Sequence, residues 1–251
     1  MIETNNETCF ESCLISTERR ICVSKELLKS QVLRTAARLF LEQGYTATTV
    51  REISKRSEVE INAMVRAFGN KENILCQLVE YVLEEQFLAT EKFLKDITDD
   101  PVLFYAAETT LQLYMAESGE QIRDLYSAAY SMPESSALIM RNIAGKLEQL
   151  FQAYQPDLEA KDFYEFEIAT GGVMRGFMTV PCDLYFTMER KVRRFIECVF
   201  RIFQVPEEKT EEAIAFVSQF DYPTLARQTI ESMLEQLDSD VDNVWKWQKT
   251  E

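Results

Sequence analysis

Apolar residues return every three or four positions along most of this chain, and they nowhere alternate with polar ones for long. Over residues 24–43, Leu28, Val32, Leu33, Ala36, Ala37, Phe40 and Leu41 form one stripe. That spacing predicts an amphipathic helix, closed by Gly44. A helix is then expected from Thr48 or Thr49, with Glu52 at the capping-box position. The chain turns through Arg56, Ser57 and Glu58, and a second short helix carries Val59, Ala63, Met64 and Ala67 to Phe68. Gly69 breaks it, and Asn70 is placed to cap a long helix over residues 71–97. Further helices are expected over 101–118, about 122–129, 133–154, 159–179 and 187–204. Pro206 and Pro223 open the last two. The fold class this predicts is all-α: a three-helix helix-turn-helix unit over 24–75, then a larger helical domain over 76–240 for ligand binding and dimerisation. Residues 1–23 are expected to be a polar tail without helical period, and residues 241–251, with Trp245 and Trp247, a loose end. Val23 is an alternative translation start, which would remove the tail.

Composition agrees with long helices. The chain has 251 residues, 46% of them apolar, with only 7 glycines and 6 prolines, so it can bury a substantial core. Net charge is -15, which argues against a protein that coats nucleic acid by charge alone. The charge is uneven, however. Residues 25–75 hold nine Lys/Arg and six Glu, a net +3 that leaves -18 for the remainder. The basic segment coincides with the two short helices and their tight turn, a shape that sets one helix into a DNA major groove. No run of 18 apolar residues and no basic start before an apolar stretch occurs, so a cytoplasmic chain without membrane association is expected. Cys9, Cys13, Cys22, Cys76, Cys182 and Cys198 are then expected as free thiols. The first three could hold a metal or sense oxidation, but their spacing matches no zinc pattern, and no metal or cofactor is expected.

Residues 32–75 resemble the DNA-binding domain of the TetR/AcrR family of bacterial transcriptional regulators. The resemblance is carried by Val32-Leu33-Arg34-Thr35-Ala36-Ala37-Arg38-Leu39-Phe40, then Gly44-Tyr45 and Ala47-Thr48-Thr49-Val50-Arg51-Glu52-Ile53, and finally Phe68, Asn70-Lys71-Glu72 and Ile74-Leu75. It implies that Thr49 and Lys71 hold the DNA backbone and that Lys25 and Lys29 lie near phosphate. The segment 60–66 would face base edges, with Asn62 and Arg66 able to pair bidentately with adenine and guanine. Four positions depart from the family pattern. Glu58 replaces its turn glycine, Glu60 a small polar cap, Ile61 a lysine and Val65 a tyrosine. Glu60 can also accept a hydrogen bond from cytosine. These departures leave open an unusual operator, weaker binding, or a motif that no longer binds DNA.

The resemblance further implies a small-molecule site in the second domain. Phe104, Met115, Tyr126, Tyr130, Met132, Met140, Met174, Phe177 and Met178 supply the adaptable apolar surface such a site uses, and any one of them also fits an ordinary core. Arg175 could meet an anionic ligand group or pair with a glutamate. The helices at 159–179 and 187–204 stand where the family forms its homodimer. Val192, Phe195, Ile196, Val199 and Phe203 make a stripe there, while Gly172 and Gly176 permit close helix approach. Catalysis is poorly supported: with no histidine there is no imidazole base, and no phosphate-binding glycine motif occurs. The resulting expectation is a repressor that leaves a near-palindromic double-stranded operator when an apolar or amphipathic effector binds. The alternative is a helical dimer acting through protein partners, with a degenerate helix-turn-helix.

Overall fold

The computed structural model describes the backbone of residues 7–239 and the side chains of residues 25–238. Eleven helices and no strand occur among the described residues. They are α1 (Glu7–Gln43), α2 (Val50–Ser57), α3 (Ile61–Phe68), α4 (Lys71–Leu94), α5 (Pro101–Glu117) and α6 (Glu120–Ala129). The rest are α7 (Pro133–Phe151), α8 (Ala160–Thr179), α9 (Met188–Ile202), α10 (Glu207–Val217) and α11 (Tyr222–Ser239). No helix of the described residues is long and apolar enough to cross a membrane.

Polar caps set several of the helix starts. The Thr49 hydroxyl accepts from the Glu52 amide at 3.2 Å, and Asn70 Oδ1 accepts from the Asn73 amide at 2.8 Å. Asp100 accepts from the amides of Val102 and Leu103, one residue before the proline that opens α5. Two elements differ from the sequence expectation. The apolar stripe places the first helix from residue 24, after a tail; the backbone is already helical at Glu7. Residues 7–23 contain neither glycine nor proline, so nothing interrupts propagation from the packed part of the helix. The side chains of Cys9, Cys13 and Cys22, residues 1–6 and the segment 241–251 lie outside what is described. The capping box at Thr49 is half made, because the Glu52 carboxylate accepts instead from Gln43 Nε2 at 2.9 Å.

Two apolar cores meet along α4. The smaller joins Val32, Leu39 and Phe40 of α1 to Ile53, Met64, Phe68 and Leu75. The larger surrounds α5, which packs against α4 and every helix from α6 to α11. That position explains its sequence, since α5 is apolar on all sides and buried over most of its length. Phe151 stacks on Phe203 at 4.0 Å between ring centroids, with Tyr105 and Phe200 edge-on around them.

Candidate DNA-reading face and effector cavity

The tight turn after α2 is built without its glycine. Glu58 sits in the left-handed region, φ 56°, and its backbone amide bonds the Ser54 carbonyl. A side chain there costs about 1–2 kcal/mol. The Ser54 hydroxyl donates to the Val59 carbonyl at 2.6 Å and helps hold the strained turn. Met64 and Phe68 bury the inner side of α3, leaving Glu60, Ile61, Asn62, Val65 and Arg66 exposed on the outer side. Thus the segment expected to read bases is presented to solvent, including the apolar Ile61 and Val65, which are 40% and 47% exposed. Glu60 precedes α3 but makes no side-chain cap.

Lys71 has a different surrounding from the one the resemblance implies. Its ammonium donates to the carbonyls of Tyr45 and Thr48, both at 2.8 Å, and lies 3.9 Å from the Tyr45 ring centroid. It ties the start of α4 to the loop before α2. Burial lowers its pKa, opposed by Asp124. Of the expected phosphate neighbours, Thr49 and Lys25 are exposed, and Lys29 is half-buried with its pKa lowered first by burial and then by Lys25. Arg51 and Lys55 also stand exposed on α2. The sequence does not single them out, because nothing in a helical pattern separates a phosphate-facing cation from a solvated one. Arg56 is instead paired with Glu42 at 2.5 Å.

Beneath this unit lies an apolar cavity of about 90 Å³, lined from α1, α4, α5, α6, α7 and α11. Of the candidate ligand residues, Met115, Tyr126 and Tyr130 line it, together with Ala37, Leu78, Leu125 and Met233. Gln112 and Tyr130 also line a second, polar cleft of about 30 Å³ formed with Glu108, Lys146, Glu167 and Met174. Gln112 donates to the Tyr130 hydroxyl at 2.9 Å, so this pair is the wall between the two spaces. Burial pushes Glu108 up to about 7, against the pull of Lys146 and the Gln86 amide. Burial likewise pushes Glu167 up to about 8, against the Thr170 hydroxyl and with the help of Glu108. Phe104 lines a separate groove of about 410 Å³ between α4, α5 and α7.

The other candidate ligand residues lie elsewhere. Arg175 is exposed on the outer side of α8, Met178 is buried in the large core, Phe177 packs edge-on against Phe195, and Met140 is half-buried on α7. None of these four lines the spaces described. Helical period alone does not fix which side of a helix meets a cavity and which meets core. Glu108, by contrast, had a signal: apart from Glu117 at the end, it is the charged residue of a helix buried over most of its length.

The dimer expectation is redistributed in the same way. Val192, Phe195, Ile196, Val199 and Phe203 are 0–6% exposed within the single chain, so the stripe packs into the chain's own core and presents no face to a partner. Outward from α8 stand Tyr164 and Ile168, 39% and 53% exposed, with Gly172 and Gly176, where an added Cβ would meet open space out to 4 Å. Arg194, Cys198 and Arg201 are the exposed side of α9.

The described residues form a two-part helical fold, with a helix-turn-helix made by the amino-terminal helices docked on a larger helical domain that encloses a cavity. Residues 32–78 match the family described as bacterial regulatory proteins, tetR family, a likeness confined to the amino-terminal helices. Members of the family are DNA-binding transcriptional regulators, not enzymes. A stretch of 56 residues is 34% identical to the HTH-type transcriptional regulator HbdR of Aromatoleum sp. (strain CIB). It spans 22% of this chain and 24% of that regulator's length. Among solved structures, RolR in complex with its ligand resorcinol has a TM-score of 0.60 and 15% identity, over 78% of this chain and 96% of that one. That likeness shows a shared fold. A gamma-butyrolactone receptor (ArpA-like) aligns over 84% of this chain and 99% of its own, at 17% identity and a TM-score of 0.38.

Proposed function

We propose that this chain is a ligand-responsive transcriptional regulator that binds a near-palindromic operator as a homodimer and is released by a small effector. The observation that carries the reading is the exposed outer side of α3 in a chain whose larger domain and first helix together enclose an apolar cavity. Asn62 and Arg66 are the base readers and Glu60 is a third candidate, while Thr49, Lys25, Lys29 and the amide end of α4 at Lys71 meet the backbone. Pairing through the outward sides of α8 and α9, including Gly172 and Gly176, would set two copies of α3 roughly 34–36 Å apart, one turn of DNA. The effector occupies the cavity between Met115, Tyr126 and Tyr130. Resorcinol in RolR supports a compact effector in a fold of this kind.

Coupling follows from the parts α6 touches. It lines the cavity through Leu125 and Tyr126, and between them and the helix start Asp124 accepts from the Thr46 amide at 2.7 Å and hydroxyl at 2.6 Å. An effector that moves α6 therefore pulls on the loop before α2. Such coupling requires an effector with different affinity for the two arrangements.

A gel-shift titration of the full chain against its own upstream DNA and a shuffled duplex tests this. Arg66→Ala is expected to lose roughly 1–3 kcal/mol of preference for the upstream DNA while the shuffled duplex is bound as before. Unchanged preference would show that α3 does not read bases. A second reading, a helical dimer that acts through protein partners, draws on Glu58 and Glu60 beside the groove and on Lys71 turned toward Tyr45. Absence of any shift with either duplex would favour it.

A further inference from the structure

The polar cleft beside the apolar cavity has more acid than its surroundings balance. Glu108 comes from α5 and Glu167 from α8; they are 5% and 4% exposed. The groups facing them are Gln86 from α4, Tyr105 and Gln112 from α5, Tyr126 and Tyr130 from α6, Lys146 from α7 and Thr170 from α8. Lys146 is the cation among these. Its ammonium lies 3.4 Å from the Phe87 ring centroid and makes no ion pair with either carboxyl within 4 Å.

The hydrogen bonding is also incomplete. Gln86 Nε2 donates to Glu108 Oε1 at 3.2 Å, and the Thr170 hydroxyl donates to Glu167 Oε2 at 2.8 Å. The second oxygen of each carboxyl accepts from no described group. The Tyr105 hydroxyl has no hydrogen-bond partner among the described residues either, although Tyr105 is 7% exposed and lines the cleft. Gly171 keeps the space open, since a Cβ there would stand 3.1 Å from Glu167 Oε1.

We propose that the effector is an apolar primary amine whose ammonium head enters the cleft between Glu108 and Glu167 and whose hydrocarbon body fills the adjoining cavity. This rests on the larger domain being effector-sensing. With both carboxyls ionised, Lys146 and the incoming ammonium balance the charge. The three N–H donors find the two free carboxyl oxygens and the Tyr105 oxygen. A cleft of about 30 Å³ has room for a small ammonium head. A carboxylate would meet two acid oxygens at close range. The body reaches the apolar cavity only when the Gln112–Tyr130 hydrogen bond that divides the two spaces opens to admit it.

Entry of the ammonium displaces any proton held on the two carboxyls, so affinity falls as pH falls. The test is calorimetric titration of the full chain with three eight-carbon probes: 2-phenylethylamine, 2-phenylethanol and phenylacetate. At about pH 8.5 the amine is expected to bind at least about tenfold more tightly than the alcohol, and phenylacetate more weakly than both. Lowering to about pH 6 weakens the amine by more than about tenfold and leaves the alcohol nearly unchanged. Glu167→Gln and Glu108→Gln each bring the amine-to-alcohol ratio toward one; the alcohol in the same variant reports that the cavity is still folded. A ratio near one in the unaltered chain, tighter binding of phenylacetate, or no binding of any probe overturns the proposal. Preference for the alcohol would leave the effector-sensing reading standing. Loss of operator binding in the gel shift would strike that reading and leave the amine site intact.

Discussion

At Glu58 a side chain occupies a left-handed turn, and at Glu108 and Glu167 two acids are buried beside each other's helices. Both features cost stability, and each has a measurable consequence. Glu58→Gly relieves strain but gives the unfolded chain more freedom, so a net gain of about 0.5–1 kcal/mol is expected in urea unfolding. Unchanged or lower stability would mean that the turn is not strained. The two acids act through pH. Their folded pKa values, about 7 and about 8, stand above the ordinary 4.5. Their contribution is whole below about pH 4.5 and is lost as pH rises through the folded values, by at most about 1.4 kcal/mol per group per pH unit. The urea midpoint is therefore expected to fall between about pH 5 and about pH 8.5. Glu167→Gln should shrink that fall, and an identical fall would show that this carboxyl titrates normally.

Among the elements, the helices were legible where a cap marked them. Asn70 makes the cap its position promised and Thr49 makes half of its capping box, while Gly44, φ 89°, ends α1 as its place after the stripe implies. The start of α1 was not legible, because a helix can extend through polar sequence once its packed part is formed. Which side of a helix faces what was legible only in part. A stripe such as Val192, Phe195 and Val199 has the same spacing whether it meets the chain's own core or a partner, and here it meets the core. Similarly, the cavity draws residues from six helices distant in sequence, and no local pattern assembles them. Two element-scale outcomes follow. Asp124→Ala should speed amide hydrogen exchange at Thr46 while leaving α5 protected; equal exchange would remove α6 as the connection to the reader. Ile168→Arg places a charge on the outward side of α8, and solution scattering should then show monomers where the unaltered chain gives dimers. A dimer in both would move the interface away from α8.

For the molecule as a whole, charge and fold point the same way. Residues 25–75 are net positive and hold the exposed side of α3, while the remaining chain is strongly acidic and supplies most of the cavity walls. Acidic bulk repels DNA and leaves contact to one end. The departures at Glu58, Glu60, Ile61 and Val65, with Lys71 bonded inward, reduce the number of phosphate contacts available. Binding should therefore be specific but modest, with a shallow salt dependence. The most direct test is the affinity of the purified full chain for its own upstream DNA across a salt series. The expected result is a shift at low salt that weakens linearly in log–log form, with a slope smaller than the roughly -10 of a protein making many phosphate contacts. No binding at the lowest salt would contradict DNA-directed regulation by this chain.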